Sequence, residues 1–145
     1  MIFWKDEYSV GIPEIDKQHK KLFEIGERIY YTASVDDGYD HYDEIRKFLD
    51  ELADYTDFHF KYEEDLLSRY HYPELESQEI QHVFFVKKLK KLIAKDLEKG
   101  QYETILEIVG FVADWIGGHI LKSDFAYRDY LINESGDGSL THLKT

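Results

Sequence analysis

His59 and Glu63 stand one helical turn apart in a stretch whose apolar residues recur at helical spacing. Both therefore fall on one helix face and can reach the same point from adjacent turns. Three further stretches each place a histidine on their own apolar stripe: His19, His82 and His119. An imidazole or carboxylate taken into an apolar core is costly unless it is paired, hydrogen-bonded or bound to metal. A lone core histidine is more often a packing residue than a ligand, but a histidine on every stripe points to one shared buried object. Imidazole nitrogen suits iron, zinc or copper, and a carboxylate can bridge two such cations. The chemistry on offer is that of a metal centre. On the last stripe Asp124 follows His119 by five residues, about 140° around an ideal helix. Spacing alone does not select it; a local distortion or the reach of its side chain must bring it inward. His41, His71 and His142 fall at a loop edge, a helix end and the tail, and read as surface residues.

The elements that must position these groups are helices. With 145 residues, 43% of them hydrophobic and 16% aromatic, the chain is long and apolar enough for one domain with an ordered core. Two prolines and nine glycines leave long stretches unbroken. The first dozen residues, with Phe3, Trp4, Val10 and Ile12, read as an ordered arm. Pro13 opens a helix in which Ile15, His19, Leu22, Gly26 and Ile29 face inward. Ser34 to Asp40 is a loop. A second helix over about Tyr42 to Tyr70 turns Ile45, Leu49, Leu52, Thr56, His59, Glu63 and Leu67 inward, and Pro73 marks the boundary after it. A third follows with Leu75, Gln78, His82, Phe85, Leu89 and Leu92 inward, ending near Gly100. The fourth runs from Tyr102 to about Ile132 with Ile105, Ile108, Val112, Trp115 and His119 on one stripe and a kink expected near Gly117-Gly118. The expected fold is all-α, an up-down-up-down four-helix bundle with an N-terminal arm over residues 1–132. Residues 133–145 are expected to form a mobile C-terminal tail.

Composition also excludes classes. A formal charge of -12 argues against sequence-independent binding to nucleic acid or an anionic membrane, which need a basic surface. The local run Lys87, Lys88, Lys90, Lys91 and Lys95 reads as a solvated helix face. Without cysteine, thiolate metal sites, disulfides and cysteine nucleophiles are out. The N-terminus lacks the basic and apolar regions of a signal peptide, and no apolar run reaches bilayer length, so a cytoplasmic location is expected.

Several motifs in order resemble the hemerythrins, specifically the bacterial single-domain type. They are Val10-Gly11-Ile12, Ile15-Asp16-Lys17-Gln18-His19 with Leu22-Phe23, His59-Phe60-Lys61-Tyr62-Glu63-Glu64 with Tyr72-Pro73, His82 with Phe85, and Trp115-Ile116 leading to His119-Ile120 and Asp124. The match spans Trp4 to about Leu131. The resemblance implies two non-haem irons held by five histidines and two carboxylates, with an oxo or hydroxo group between them. It assigns His19 and His59 to the iron with an open place for dioxygen, Glu63 and Asp124 to the bridges, and His82 and His119 to the other iron. Little of the chain lies outside the match, so a sensor of this kind is expected to act through a separate partner.

The chain departs from that pattern at Gln78, where the resemblance implies a histidine. The inward phase is kept and the imidazole is lost. A glutamine carbonyl is a weak neutral ligand beside imidazole, so water, an open place or the neighbouring Glu79 are alternatives. Looser hold on the second iron, faster oxidation and access of exogenous ligands to both irons are the expected consequences. The leading expectation is a dioxygen-binding di-iron protein for oxygen storage, transport or sensing, a monomer or weak homo-oligomer rather than a catalyst. The alternatives are a di-iron enzyme acting on dioxygen, peroxide or nitric oxide, and a metal-poor helical interaction domain. Glu79-Ile80-Gln81-His82 also fits the Glu-x-x-His pattern of carboxylate-rich di-iron bundles, but only one copy is present. Leu22, Phe23, Phe60, Trp115 and Ile120 are candidates for an apolar cover over the site.

Overall fold

A computed structural model of the chain describes residues 4–95 and 101–135. Helix α1 spans Pro13–Ser34, α2 Tyr42–Arg69, α3 Leu75–Ile93, α4 Gln101–His119 and α5 Phe125–Ser135. A π-helical turn, Ile120–Asp124, joins α4 to α5 as one rod. Each of α1 and α3 packs against both α2 and α4, which closes a ring of four around a common core. This is the expected four-helix bundle.

The stripes read from the sequence are the buried ones. On α1, Ile15, His19, Leu22, Gly26 and Ile29 are buried, and on α2 all of Ile45, Leu49, Leu52, Thr56, His59, Glu63 and Leu67. Pro13 sits in the first turn of α1, where its missing N–H leaves no bond unmade. On α3 the inward set is buried except for Leu75, which is half-buried, and on α4 only Trp115 is half-buried. Lys87, Lys88, Lys90, Lys91 and Lys95 are exposed, as a solvated face requires. The apolar core falls into two clusters, one built around Leu22, Leu52, Phe85 and Ile116, the other around Ile12, Ile15, Leu67 and Tyr127. Between them in the helical register lies a layer of buried polar groups.

The arm is ordered from Trp4 onward; Phe3 lies outside the described residues. A short 3-10 turn at Asp6–Tyr8 stacks Tyr8 on Phe23, ring centroids 5.5 Å apart. Gly11 has φ +76°, a backbone turn that lets Val10 and Ile12 on either side both insert into the core. Asp16 fastens the arm to α1, its carboxylate accepting from the Ser9 hydroxyl and from the Val10 N–H at 2.9 Å. Asp16→Ala should cost about 1–3 kcal/mol in urea denaturation, because two donors lose their partner at once. A stability equal to that of the parent would show the arm held by apolar contacts alone.

Three expectations need correction. α3 ends at Ile93, well short of Gly100, and Ala94 and Lys95 already leave the helix. The lysine-rich final turn has little left to bury beyond Leu92 and Ile93. The irregularity of the last rod is at Ile120–Asp124 and not at Gly117-Gly118, and the rod continues to Ser135, into the segment expected to be a tail. The remainder of that tail, with His142, lies outside the described residues. The segment Glu103–Asn133 is, by length and composition alone, long and apolar enough to cross a bilayer. Its apolar residues are interrupted by charges, so no single run shows it. Half of its most apolar window is buried within the bundle.

Candidate metal centre

Each rod contributes to the polar layer from the position its helical phase dictates. α1 brings His19, α2 His59 and Glu63, α3 Gln78 and His82, α4 His119, and the π turn Asp124. All are at most 7% exposed, and Glu63 and Asp124 are fully buried. In the π turn the Phe125 N–H bonds to the Ile120 carbonyl, five residues back. That geometry absorbs one extra residue per turn, so His119 and Asp124 stack as an i, i+4 pair would in an α-helix. His119 Nε2 is 3.1 Å from Asp124 Oδ1. The local distortion that the spacing demanded is this turn.

The two carboxylates divide their oxygens. Glu63 Oε2 faces His59 Nε2 at 3.4 Å and His19 Nε2 at 3.8 Å. Its other oxygen, Oε1, faces His82 Nε2 at 3.0 Å and His119 Nε2 at 3.9 Å. Asp124 repeats the arrangement, Oδ2 lying 3.3 Å from His19 Nε2 and Oδ1 beside His119. His19, His59 and Glu63 therefore form one group whose donor atoms lie within 4.8 Å of one another, and Glu63, His82 and His119 a second. The Nε2 atoms of His82 and His119 face each other at 3.3 Å. Two nitrogens about 2.1 Å from one shared ion stand roughly this far apart.

Nδ1 of three of these rings is held from behind. Gln18 Oε1 lies 2.8 Å from His59 Nδ1, Glu64 Oε2 2.7 Å from His82 Nδ1, and Gln81 Oε1 2.9 Å from His119 Nδ1. Ser123 fixes Gln81 by donating its hydroxyl to the same oxygen at 2.8 Å. An acceptor behind Nδ1 leaves Nε2 free as the metal-binding nitrogen. Tyr127 donates its hydroxyl to Glu63 Oε2 at 3.0 Å, and burial raises its pKa well above the usual phenol range, so it stays a donor. Tyr127→Phe should cost about 1–3 kcal/mol in denaturation of the metal-free protein, since a buried carboxylate loses a donor. An unchanged midpoint would show that Glu63 does not need that hydroxyl.

Electrostatics match the geometry. Burial pushes His19 and His119 down, but Asp124 and Glu63 outweigh it and raise their pKa values to about 9 and about 10. Burial dominates at His59 and holds it below the ordinary imidazole value. Burial likewise opposes ionisation of Glu63 and Asp124, yet facing imidazoles keep both below the usual carboxylate range. Without a metal, two buried anions are thus balanced by imidazolium; a dication in the same place would release those protons. Several polar atoms are left over: His19 Nδ1, Glu63 Oε1, Gln78 Oε1 and Asp124 Oδ2 are buried and accept or donate no hydrogen bond. Oxygens that lie close to imidazole nitrogens without hydrogen-bond alignment suit ions placed between them. The donor set, nitrogen and carboxylate oxygen in two groups, fits a pair of iron or similar ions.

All the candidate ligands singled out from the sequence converge here except Glu79. That side chain points to solvent one position past the inward Gln78, so neither the substitute ligand nor the Glu-x-x-His pattern is realised. Gln78 itself donates its amide N–H to Asp124 Oδ1 at 3.2 Å. Of the proposed apolar cover, Phe60 stacks on His82, centroids 3.8 Å apart and planes 3° off parallel, and Trp115 stacks on His119 at 4.4 Å. Leu22, Phe23 and Ile120 belong to the larger apolar cluster. Sequence reasoning gave no role to Gln18, Glu64, Gln81, Ser123 or Tyr127. For Gln18, Glu64, Gln81 and Ser123 the usable signal was a polar residue directly beside a candidate ligand; Tyr127 offered none of that kind. His41 is a surface clamp, its ring between Asp37 at 2.9 Å and Glu44 at 3.2 Å, and His71 is exposed.

Comparison with known proteins points the same way. A family model described as the hemerythrin HHE cation binding domain matches residues 10–131. A bacteriohemerythrin of Clostridium acetobutylicum is 39% identical over 129 residues, covering 89% of this chain and 100% of that protein. A bacteriohemerythrin of Methylococcus capsulatus is 31% identical over 125 residues, 83% of this chain and 88% of its own. A hemerythrin-like protein of Naegleria gruberi is 29% identical over 129 residues, 88% and 92% of the two chains.

Proposed function

The chain belongs to the hemerythrin family of cation-binding domains, and from that premise we propose that it binds dioxygen at a non-haem pair of irons, for storage, transport or sensing. His19 and His59 would hold one iron and His82 and His119 the other, Glu63 and Asp124 would serve both, and Gln78 would stand beside the second. When bound, the reduced irons supply the electrons that reversible dioxygen binding draws on. The observation that supports this reading best is the division of each buried carboxylate between two imidazole groups. The chain's own residues do the rest. Gln18, Glu64 and Gln81 orient rings, Tyr127 supports Glu63, and Phe60 and Trp115 stack on the second pair of imidazoles and hold their planes. The acidic chain is proposed to work in the cytoplasm as a monomer or weak homo-oligomer, away from nucleic acid and membrane.

Anaerobic reduction followed by air, watched in the visible region with metal analysis, tests the proposal. Two irons per chain and a reversible spectral change are expected; colourless, metal-poor protein would remove it. A di-iron enzyme acting on dioxygen, peroxide or nitric oxide is the second reading, favoured by the amide at position 78. Iron titration and stopped-flow oxidation of the parent and Gln78→His separate the two. The binding reading expects stable oxygenation, whereas rapid irreversible oxidation with turnover of peroxide or nitric oxide supports the enzyme.

A further inference from the structure

We infer that Gln78 builds a place for a small exogenous ligand on the His82 and His119 side of the site. The inference rests on the di-iron reading and goes beyond it, because it concerns which half of the pair is open. α3 carries Gln78 one turn before His82 on the same face, and each is 2% exposed. The amide nitrogen donates to Asp124 Oδ1 at 3.2 Å, and that same oxygen is 3.1 Å from His119 Nε2. Gln78 therefore stands beside the second imidazole pair. An amide nitrogen has no lone pair to give a metal, so this contact anchors Asp124 and ligates nothing. The amide's other atom, Oε1, is buried and unpartnered.

A buried acceptor without a donor calls for a missing partner. Water held on this half of the site would donate to Oε1 and complete the amide's bonding. Among the described residues the protein donors there are the two imidazoles and one oxygen from each carboxylate, which leaves room at an iron as other open iron sites do. A groove of about 300 Å³ between α2 and α3 has His82, itself 2% exposed, in its wall with Phe60, Glu64, Val83 and Val86, which puts that imidazole between solvent and this half. The ligand class is a small donor, water at rest and displaceable by an anion such as azide.

Azide titration of the iron-loaded, oxidised protein reads this out without any activity measurement. Two azides per iron pair are expected in the parent and one in Gln78→His, whose imidazole fills the place. Gln78→Ala, which adds no bulk to the core, should keep two. Gln78→His should also slow removal of the second metal by a chelator, about 10- to 100-fold. One azide in parent and Gln78→Ala, with two irons present in each, would overturn the inference while sparing the di-iron reading. So would two azides in a folded, fully loaded Gln78→His. Parent protein that retains no iron overturns the di-iron reading itself, and this inference with it.

Discussion

Glu63→Ala should empty both halves of the metal centre, lowering iron retention after reconstitution by more than roughly 100-fold, because a ligand should matter more than the supporting residues whose loss costs up to that much. Among the described residues no other side chain meets all four inward imidazoles: one Glu63 oxygen faces His19 and His59, the other His82 and His119, at 3.0 to 3.9 Å. Asp124 meets only His19 and His119 through comparable distances. Asp124→Ala is therefore expected to weaken both ions while leaving each with a carboxylate oxygen. The alanine variant of Glu63 should still fold, because the imidazoles that the carboxylate charges can return to the neutral state that burial favours. Iron per chain, measured beside helical circular dichroism, separates loss of metal from loss of fold. A folded Glu63→Ala protein with its full iron complement would show that the metals sit elsewhere.

Glu63 was legible in the sequence because it sits on the same stripe as His59. The fold was legible for the same reason: His19, His59, His82 and His119 occur in unbroken 3.6-residue patterns, and the elements around them followed with α2 placed within one residue of its observed end. What resisted reading was whatever broke that period. Asp124 is off-phase by ideal helix arithmetic and comes inward only because the π turn takes up one residue, a feature no side-chain pattern in Ile120–Asp124 announces. Gln18, Glu64 and Gln81 were missed because they sit at the edge of a stripe. Their worth depends on which ring nitrogen faces them, a tertiary fact. The early end of α3 was hidden by Lys90 and Lys91, good helix formers whose local propensity says nothing about whether the next turn has a core to pack on. Glu79 was offered as a ligand on adjacency alone, and adjacency along a helix turns a side chain by about 100°.

Phe60→Ala should destabilise the metal-free protein by about 3–5 kcal/mol, a large share of what a domain this size possesses. Phe60 is 6% exposed and lies face to face with His82, while Phe85 and Trp115 approach its edge at 5.7 and 5.8 Å. Deleting the ring leaves a void where the apolar core meets the polar layer. The neighbours cannot close it without giving up their own contacts: His82 is tied to Glu64 and Trp115 is stacked on His119. Phe60→Leu retains most of the volume and should cost less than about 1.5 kcal/mol, unless the stack on His82 matters beyond packing. Urea denaturation of the three proteins measures the packing, and iron retention measures the consequence for the site. Both variants lose the flat face against His82, so a metal deficit shared by alanine and leucine would assign Phe60 to holding the imidazole in place. A deficit in alanine alone would assign it to filling space. A loss under 1 kcal/mol in the alanine variant would contradict the packing on which both roles depend.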